Sequence, residues 1–319
     1  MAIDVRPMLE QDLATAERIF RVAFGTAHGV AEPARYMLDR NYIRSRWAAD
    51  PGGALVADFG GEVAGSVMAA KWGSVGVLGP LTVDPRFWNS GVAGRLLESI
   101  LEHPSLREAR LPALSTAAGN VRTVRLYQRF DFWPGYLIPI LGKTLDATAV
   151  PGIPAAVISG PATAVRYSAL PEAEKLTARK ACATLTDAVY GDLDLSGEIQ
   201  SVERQALGDT LLLRNGGSVD AFAICHCGAG TEAGGGTCYV KFGAAGALDG
   251  FERLLEAVEA LAQSHGLSRV IAGVNAGRRT AYRSLLARGF KAVTHSVAMQ
   301  RFAAKCYDDA DTLVLDDWR

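Results

Sequence analysis

The segment from Val83 to Leu97, V-D-P-R-F-W-N-S-G-V-A-G-R-L-L, constrains the chain most. An apolar run ends at Val83, Pro85 bars its continuation as a central strand, a turn of small residues follows, and helically spaced apolar residues begin at Val92. The order is strand, loop, helix. Gly91 and Ala93 allow close approach of a ligand to the backbone, and the first N–H groups of the helix have no partner within it. Such a turn suits an anion, phosphate above all. No Gly-Lys-Ser/Thr follows, so it is not a Walker loop, and the dinucleotide fingerprint G-x-G-x-x-G is absent.

With 319 residues the chain exceeds most single cores, and two domains are expected. Apolar residues make up 49% and charged residues 21%, enough to bury a sizeable core. Thirty-three Lys and Arg against 34 Asp and Glu leave a net charge of -1, which speaks against a general nucleic-acid or anionic-membrane binder. The start M-A-I-D-V-R-P lacks a signal-peptide pattern and no uncharged apolar run is long enough to span a bilayer, so a cytoplasmic protein is expected. Five cysteines, an odd number, fit free thiols in a reducing compartment.

Taken in order, Ile3 to Arg6 reads as a strand, and Glu10 to Phe24 as an amphipathic helix with Leu13, Ala16, Ile19, Phe20 and Ala23 on its stripe. Gly25 to Pro51 interleaves His28, Arg35, Tyr36, Arg40, Tyr42, Arg44, Arg46 and Trp47, a pattern of one or two helices over a site or of aromatic anchors among solvated arginines. Ala54 to Phe59 and Glu62 to Trp72 form a hairpin about Gly60-Gly61, and Ser74 to Val83 continues it. Then come the helix Val92 to His103, the strand Leu111 to Thr116, the helix Asn120 to Phe130, and a strand Phe132 to Leu141 interrupted by Pro134 and Pro139. Residues 144–165 are small, proline-bearing and nearly uncharged, as a connector would be.

Beyond the connector the order repeats. Arg166 to Ala169 is a strand candidate, Pro171 to Tyr190 a helix, Thr210 to Arg214 and Ser218 to Cys227 a hairpin, and Thr237 to Phe242 a strand. The helix Asp249 to His265, the strand Arg269 to Val274, the helix Arg278 to Arg288 and the strand Phe290 to Arg301 complete the copy.

These residues resemble the GNAT superfamily of acetyl-coenzyme A dependent N-acetyltransferases, in tandem. The superfamily's pyrophosphate loop, Q/R-x-x-G-x-G/A, falls on Trp88-Asn89-Ser90-Gly91-Val92-Ala93, matching at Gly91 and Ala93 and carrying Trp88 for Gln or Arg. Its later helix, N-x-x-A-x-x-L-Y-x-x-x-G-F, falls on Asn120 to Phe132, matching at Asn120, Leu126, Tyr127 and Phe132. The second half has no such loop after Phe242. Counting back from Gly289 puts Leu285 at the tyrosine position, whereas counting forward from Asn275 puts Tyr282 there.

The resemblance implies an α/β (α+β) protein of two GNAT-like domains, each a mostly antiparallel mixed sheet flanked by helices. The domains would be residues 1–143 and a degenerate copy at 166–302, joined by the linker 144–165 and followed by a tail at 303–319. It implies an acetyltransferase that moves the acetyl group of acetyl-CoA, a cosubstrate, to a primary amine of a small molecule in a ternary complex. A non-catalytic acyl-CoA sensor, or a transferase with another acyl or aminoacyl donor, is the alternative. Coenzyme A would lie between the strand ending at Val83 and the strand from Leu111, pairing with Leu81 and Val83 as an added strand. Its diphosphate would meet the N–H groups of Asn89, Ser90, Gly91, Val92, Ala93 and Gly94, next to Trp88, with the Ser90 hydroxyl as a further donor. An N–H near Leu81 or Thr82 would polarise the thioester carbonyl.

Tyr127 is the candidate general acid, since a phenol of pKa ~10 can hand a proton to a thiolate of pKa ~8.5 when hydrogen-bonded to it. A tyrosine on the core face of an amphipathic helix is the other reading. Asn120 would orient coenzyme A or cap its helix. No general base announces itself, and Asp84, Glu62, His28 or a water chain are the options. Neither nucleic acid nor membrane is expected as a partner, and the chain would be a monomer or a homodimer. Cys225-His226-Cys227 with Cys238 invites a zinc reading, but on a strand the two cysteines face one way and His226 the other, so no metal is expected. Asp308 to Arg319 reads as an ordered strap held by Leu313, Val314, Leu315 and Trp318, or as a lid.

Overall fold

Each strand-like run read from the sequence joins one sheet in the computed structural model, which describes residues 2–146, 163–215, 218–301 and 307–318. The first half forms β1 (Ile3–Pro7), α1 (Leu13–Ala27), α2 (Ile43–Ala49), β2 (Ala54–Phe59), β3 (Glu62–Trp72), β4 (Val75–Val83), α3 (Val92–Leu101), α4 (Pro104–Arg107), β5 (Leu111–Ala117), α5 (Val121–Gln128) and β6 (Trp133–Thr144). The second half forms β7 (Thr163–Arg166), α6 (Glu172–Asp187), α7 (Ser196–Arg204), β8 (Gly208–Asn215), β9 (Ser218–Cys227), β10 (Thr237–Ala245), α8 (Leu248–Ser264), β11 (Arg269–Gly273), α9 (Arg279–Ala287), β12 (Lys291–Gln300) and β13 (Leu313–Asp316).

The sheet runs β1-β2-β3-β4-β5-β12-β6-β11-β10-β9-β8-β7, with β13 beside β10. Pairs are antiparallel except β4–β5 and β10–β11. The two halves exchange their last strands: β12 pairs Ser296–Gln300 with Ala117–Ala113 of β5, and β6 pairs Ile140–Thr144 with Gly273–Arg269 of β11. Each half-sheet is therefore completed by the other. The core is shared as well, one cluster joining Trp72, Val75 and Val77 of the first half to Phe222, Tyr239 and Phe242 of the second. Each large side chain so buried contributes roughly 1.5–3 kcal/mol.

The helices cover the sheet as their stripes require. Val92, Leu96, Leu97, Ile100 and Leu101 of α3 pack in the cluster that holds Val67, Leu78 and Leu114, whereas Leu13, Ala16 and Phe20 of α1 pack with Ile43 of α2 over Val56 and Met68. In these clusters Val67 and Met68, neighbours on β3, point to opposite faces, so α3 lies on one face of the sheet and α1 with α2 on the other.

Three expectations change. β6 is not interrupted by its prolines; register shifts against β12 fall beside Pro139 and at Pro134, which spares the ladder the missing N–H groups. The strand expected at Arg166 to Ala169 is Thr163–Arg166, and Tyr167–Ala169 turns as a 3-10 helix because Ser168 N–H bonds the Asp209 carboxylate at 3.2 Å instead of a neighbouring strand. α7 forms where no helix is read, its stripe being Leu195, Ile199 and Val202, all about 1% exposed. The tail is the ordered strap expected, held by buried Leu313, Val314, Leu315 and Trp318, and its Leu313–Asp316 segment is a sheet strand rather than a lid. Most of the 144–165 connector lies outside the described residues. Among the described residues no helix is long and apolar enough to cross a membrane.

Candidate functional site

β4 and β5 are joined only where Val75–Val77 run parallel to Leu111–Ala113. Past that rung β5 turns to β12 and β4 stays with β3, so residues 78–83 of β4 keep a free flank. Gly79 and Pro80 together face Met68, a bulge at the apex of the gap. Asp84 N–H bonds back to Ala64 O at 2.9 Å, toward β3. Because backbone groups alternate sides along a strand, those of Val83 and Leu81 point into the gap. Thr82 differs: its hydroxyl meets that of Ser66 at 3.0 Å, on the β3 side.

The loop after β4 ends at the helix. Gly91 is the N-cap of α3 at φ +93°, a conformation that a side chain would strain, and Asn89 is also left-handed at φ +67°. Arg95 N–H bonds the Gly91 carbonyl at 3.1 Å, which starts the helix ladder and leaves the N–H groups of Val92, Ala93 and Gly94 without intrahelical partners. Gly94 has open space where a Cβ would stand. Two loop side chains are already engaged. The Ser90 hydroxyl donates to Phe87 O at 2.6 Å, and Trp88 Nε1 donates to Val83 O at 2.9 Å, so Trp88 caps from the gap side one of the backbone groups that an added strand would use.

Arg122, which the motif comparison passes over, closes the loop from α5. Its guanidinium lies over the Trp88 ring, 5.0 Å from the centroid, and donates to Asn89 Oδ1 at 2.8 Å. A cation in the first turn opposes the helix dipole, and that was the available sequence signal that Arg122 serves something outside its helix.

Asn120 caps α5, its Oδ1 accepting from Thr123 N–H at 3.3 Å. Tyr127 is 7% exposed in the cluster with Leu78, Val83 and Leu114, which flank the gap. Its hydroxyl makes no hydrogen bond to a described residue, and burial pushes its pKa well above the ordinary value, so the phenol keeps its proton. Of the acids weighed as bases, Asp84 is tied to Arg86 at 3.1 Å and to Arg18 at 3.3 Å, and Glu62 to Arg86 at 3.1 Å. His28 stacks on Tyr36 at 5.4 Å.

The second half repeats the gap and fills it. β10 runs parallel to β11 over Thr237–Val240 and then parts from it, and β13 pairs there, Phe242–Ala245 opposite Asp316–Leu313. Buried Arg278 holds this tail through Thr312 Oγ1 at 3.0 Å, Asp316 at 3.1 Å and Tyr307 O at 2.7 Å. Asn275, after β11 as Asn120 is after β5, donates to Asp308 at 2.6 Å. The helix ends decide the two counts: Phe132 N–H bonds Tyr127 O and Phe290 N–H bonds Leu285 O, both at 3.1 Å. Leu285 therefore stands at the Tyr127 position, and that half has no phenol there. Cys225 and Cys238 are buried free thiols, Cys227 lies 3.9 Å from Cys238, and the described residues hold no group of three or more His, Cys, Asp or Glu set for a metal.

Residues 16–132 match the Acetyltransferase (GNAT) family. Over 107 residues the chain is 30% identical to the spore coat polysaccharide biosynthesis protein SpsD of Bacillus subtilis, a match spanning 30% of this chain and only 36% of that protein. Similar solved structures include a Pyrococcus horikoshii protein (14% identity, TM-score 0.68, 99% of this chain and 95% of that one). A GCN5-related N-acetyltransferase from Sphaerobacter thermophilus (18% identity, TM-score 0.59, 93% and 95%) is another. A third is a tandem GNAT protein from the clavulanic acid biosynthesis pathway (11% identity, TM-score 0.54, 94% and 98%). Residues 16–132 therefore carry a GNAT-family domain, and the chain as a whole has the two-domain tandem fold of these solved structures.

Proposed function

We propose that the protein transfers the acetyl group of acetyl-CoA to a primary amine of a small molecule, using the β4–β5 gap of the first half. The observation that carries this reading is the contrast between the gaps: the first keeps a free flank ending at the α3 N-terminus, and the second is occupied by the chain's own β13. Val83 and Leu81 would pair with the pantetheine as β-augmentation, which asks Trp88 to release the Val83 carbonyl or leaves the N–H as the contact there. The N–H groups of Val92, Ala93 and Gly94, with Arg122 beside them, would receive the diphosphate. Tyr127, protonated and at the gap, would hydrogen-bond the departing sulfur.

Calorimetric titration of the full chain with acetyl-CoA tests the reading. One equivalent should bind, and Gly91→Glu, which adds bulk at a left-handed N-cap and negative charge facing the diphosphate, should abolish binding. Absence of binding to the wild type would overturn the proposal.

A further inference from the structure

Apart from the gap, the two halves bury between them a cluster of ionisable side chains that no step above uses. Arg46 on α2, Glu198 on α7, His226 on β9, Glu232 in the loop before β10 and Lys241 at the β10 register shift line a cavity of about 40 Å³ that also reaches Gly79. Arg46 grips Glu232 twice, at 2.8 and 3.0 Å, and donates to the Gly79 carbonyl at 2.8 Å. Lys241 bridges Glu232 at 3.0 Å and Glu198 at 3.4 Å, and Trp72 Nε1 donates to Glu198 at 3.0 Å. The four charges cancel and each is paired, as burial requires.

His226 is the exception. It is 1% exposed, and neither Nδ1 nor Nε2 has a hydrogen-bond partner among the described residues. A neutral imidazole offers one donor and one acceptor, and leaving both unmet in the interior is costly. A group entering the cavity that can both donate and accept would answer it. The other wall, Gly79, directly follows Leu78, the first β4 residue past the last rung shared with β5. The cavity therefore meets the apex of the gap on the face covered by α2.

We propose that His226 is the proton acceptor for the acceptor amine, so that one active site is assembled from both halves: the first supplies the donor gap and the second, whose own gap is sealed, the base. This rests on the reading of the β4–β5 gap as the coenzyme site. The amine nitrogen bonds to the acetyl carbonyl carbon, the carbon–sulfur bond breaks, and the thiolate leaves and takes a proton from water or Tyr127. The amine proton passes to His226 and from there to solvent, giving an amide and a free thiol. Burial holds the ring neutral, its pKa pushed down to about 4 with Glu232 and Glu198 opposing and Lys241 and Arg46 assisting. A weak base suffices, because the nitrogen becomes strongly acidic as it bonds to carbon. At roughly 10–15 Å³ per water, the cavity takes about three water-sized groups, which selects a primary amine on a slender unbranched chain.

Ethylamine is the probe. In full-length protein carrying ¹⁵N-labelled histidine, with the His226 ring signals identified by their loss in His226→Gln, neutral ethylamine should shift both ring nitrogens. Unmoved signals would overturn the proposal whatever the variant's stability. In the second arm, His226→Gln should bind acetyl-CoA within about 2-fold of wild type but release coenzyme thiol to ethylamine about 10²-fold more slowly. Equal rates, or no amine-dependent release by a wild type that binds acetyl-CoA, would overturn the role of His226. A wild type that does not bind acetyl-CoA overturns the coenzyme reading instead, and the catalytic role with it.

Discussion

Replacing Leu315 by alanine tests how firmly the tail closes the second gap. Leu315 is fully buried, stands opposite Gly243 of β10, and packs in the cluster with Phe251 and Leu254 of α8. Buried Leu→Ala changes cost about 2–5 kcal/mol, more where the site cannot collapse. Gly243 has no side chain to move into the void, and Arg278 pins the strand at the adjacent Asp316, so a loss of about 3 kcal/mol is expected. At roughly 1.5 °C per kcal/mol for one cooperative unit of about 300 residues, the midpoint should fall by about 4–5 °C. Thermal and urea unfolding followed by circular dichroism would measure it, with acetyl-CoA titration as the control, since the first gap shares no residue with the tail. A loss below about 1 kcal/mol would mean that β13 frays from β10, and the sealed gap would have to be abandoned.

Tyr127→Phe should lower turnover more than it weakens acetyl-CoA binding; unchanged turnover would remove the hydroxyl from the mechanism. Because the halves exchange β6 and β12, full-length protein should unfold in one cooperative transition and residues 1–146 expressed alone should not bind acetyl-CoA. Two separated transitions, or binding by the fragment, would contradict the interlock. His226, with a pKa near 4 folded and ~6.5 unfolded, takes up more protons when unfolded between those values, so stability should fall as pH drops through that window. His226→Gln should flatten the decline, and unchanged melting profiles would refute it. Glu232 is raised by burial but brought further down by Arg46 and Lys241, so its contribution should be lost only as pH falls below ~4.3, and Glu232→Gln should be strongly destabilising at neutral pH.

Much of the fold was legible because it is local. Hairpins around Gly60-Gly61, the α3 stripe and the left-handed cap at Gly91 depend on spacing and backbone freedom that adjacent residues supply. The loop and its partner helix were legible for the same reason. Arg122 and the Trp88 contact to Val83 O were harder, since they depend on how α5 and the loop meet across the sheet.

What the sequence by itself determined was the order of elements, the two copies and the strand–loop–helix turn at Gly91, all consequences of periodicity and turn chemistry along the chain. Tertiary structure alone decided which half's last strand completes which sheet, that the tail rather than a ligand lies beside β10, and that Leu285 replaces Tyr127 in the second copy. It also decided that Arg46, Glu198, His226, Glu232 and Lys241, up to 195 positions apart in the numbering, share one cavity. The physical reason is common to all of these. Strand pairing and buried charge pairing are bonds between segments distant in sequence, and an isolated strand pattern carries the capacity to pair without naming its partner.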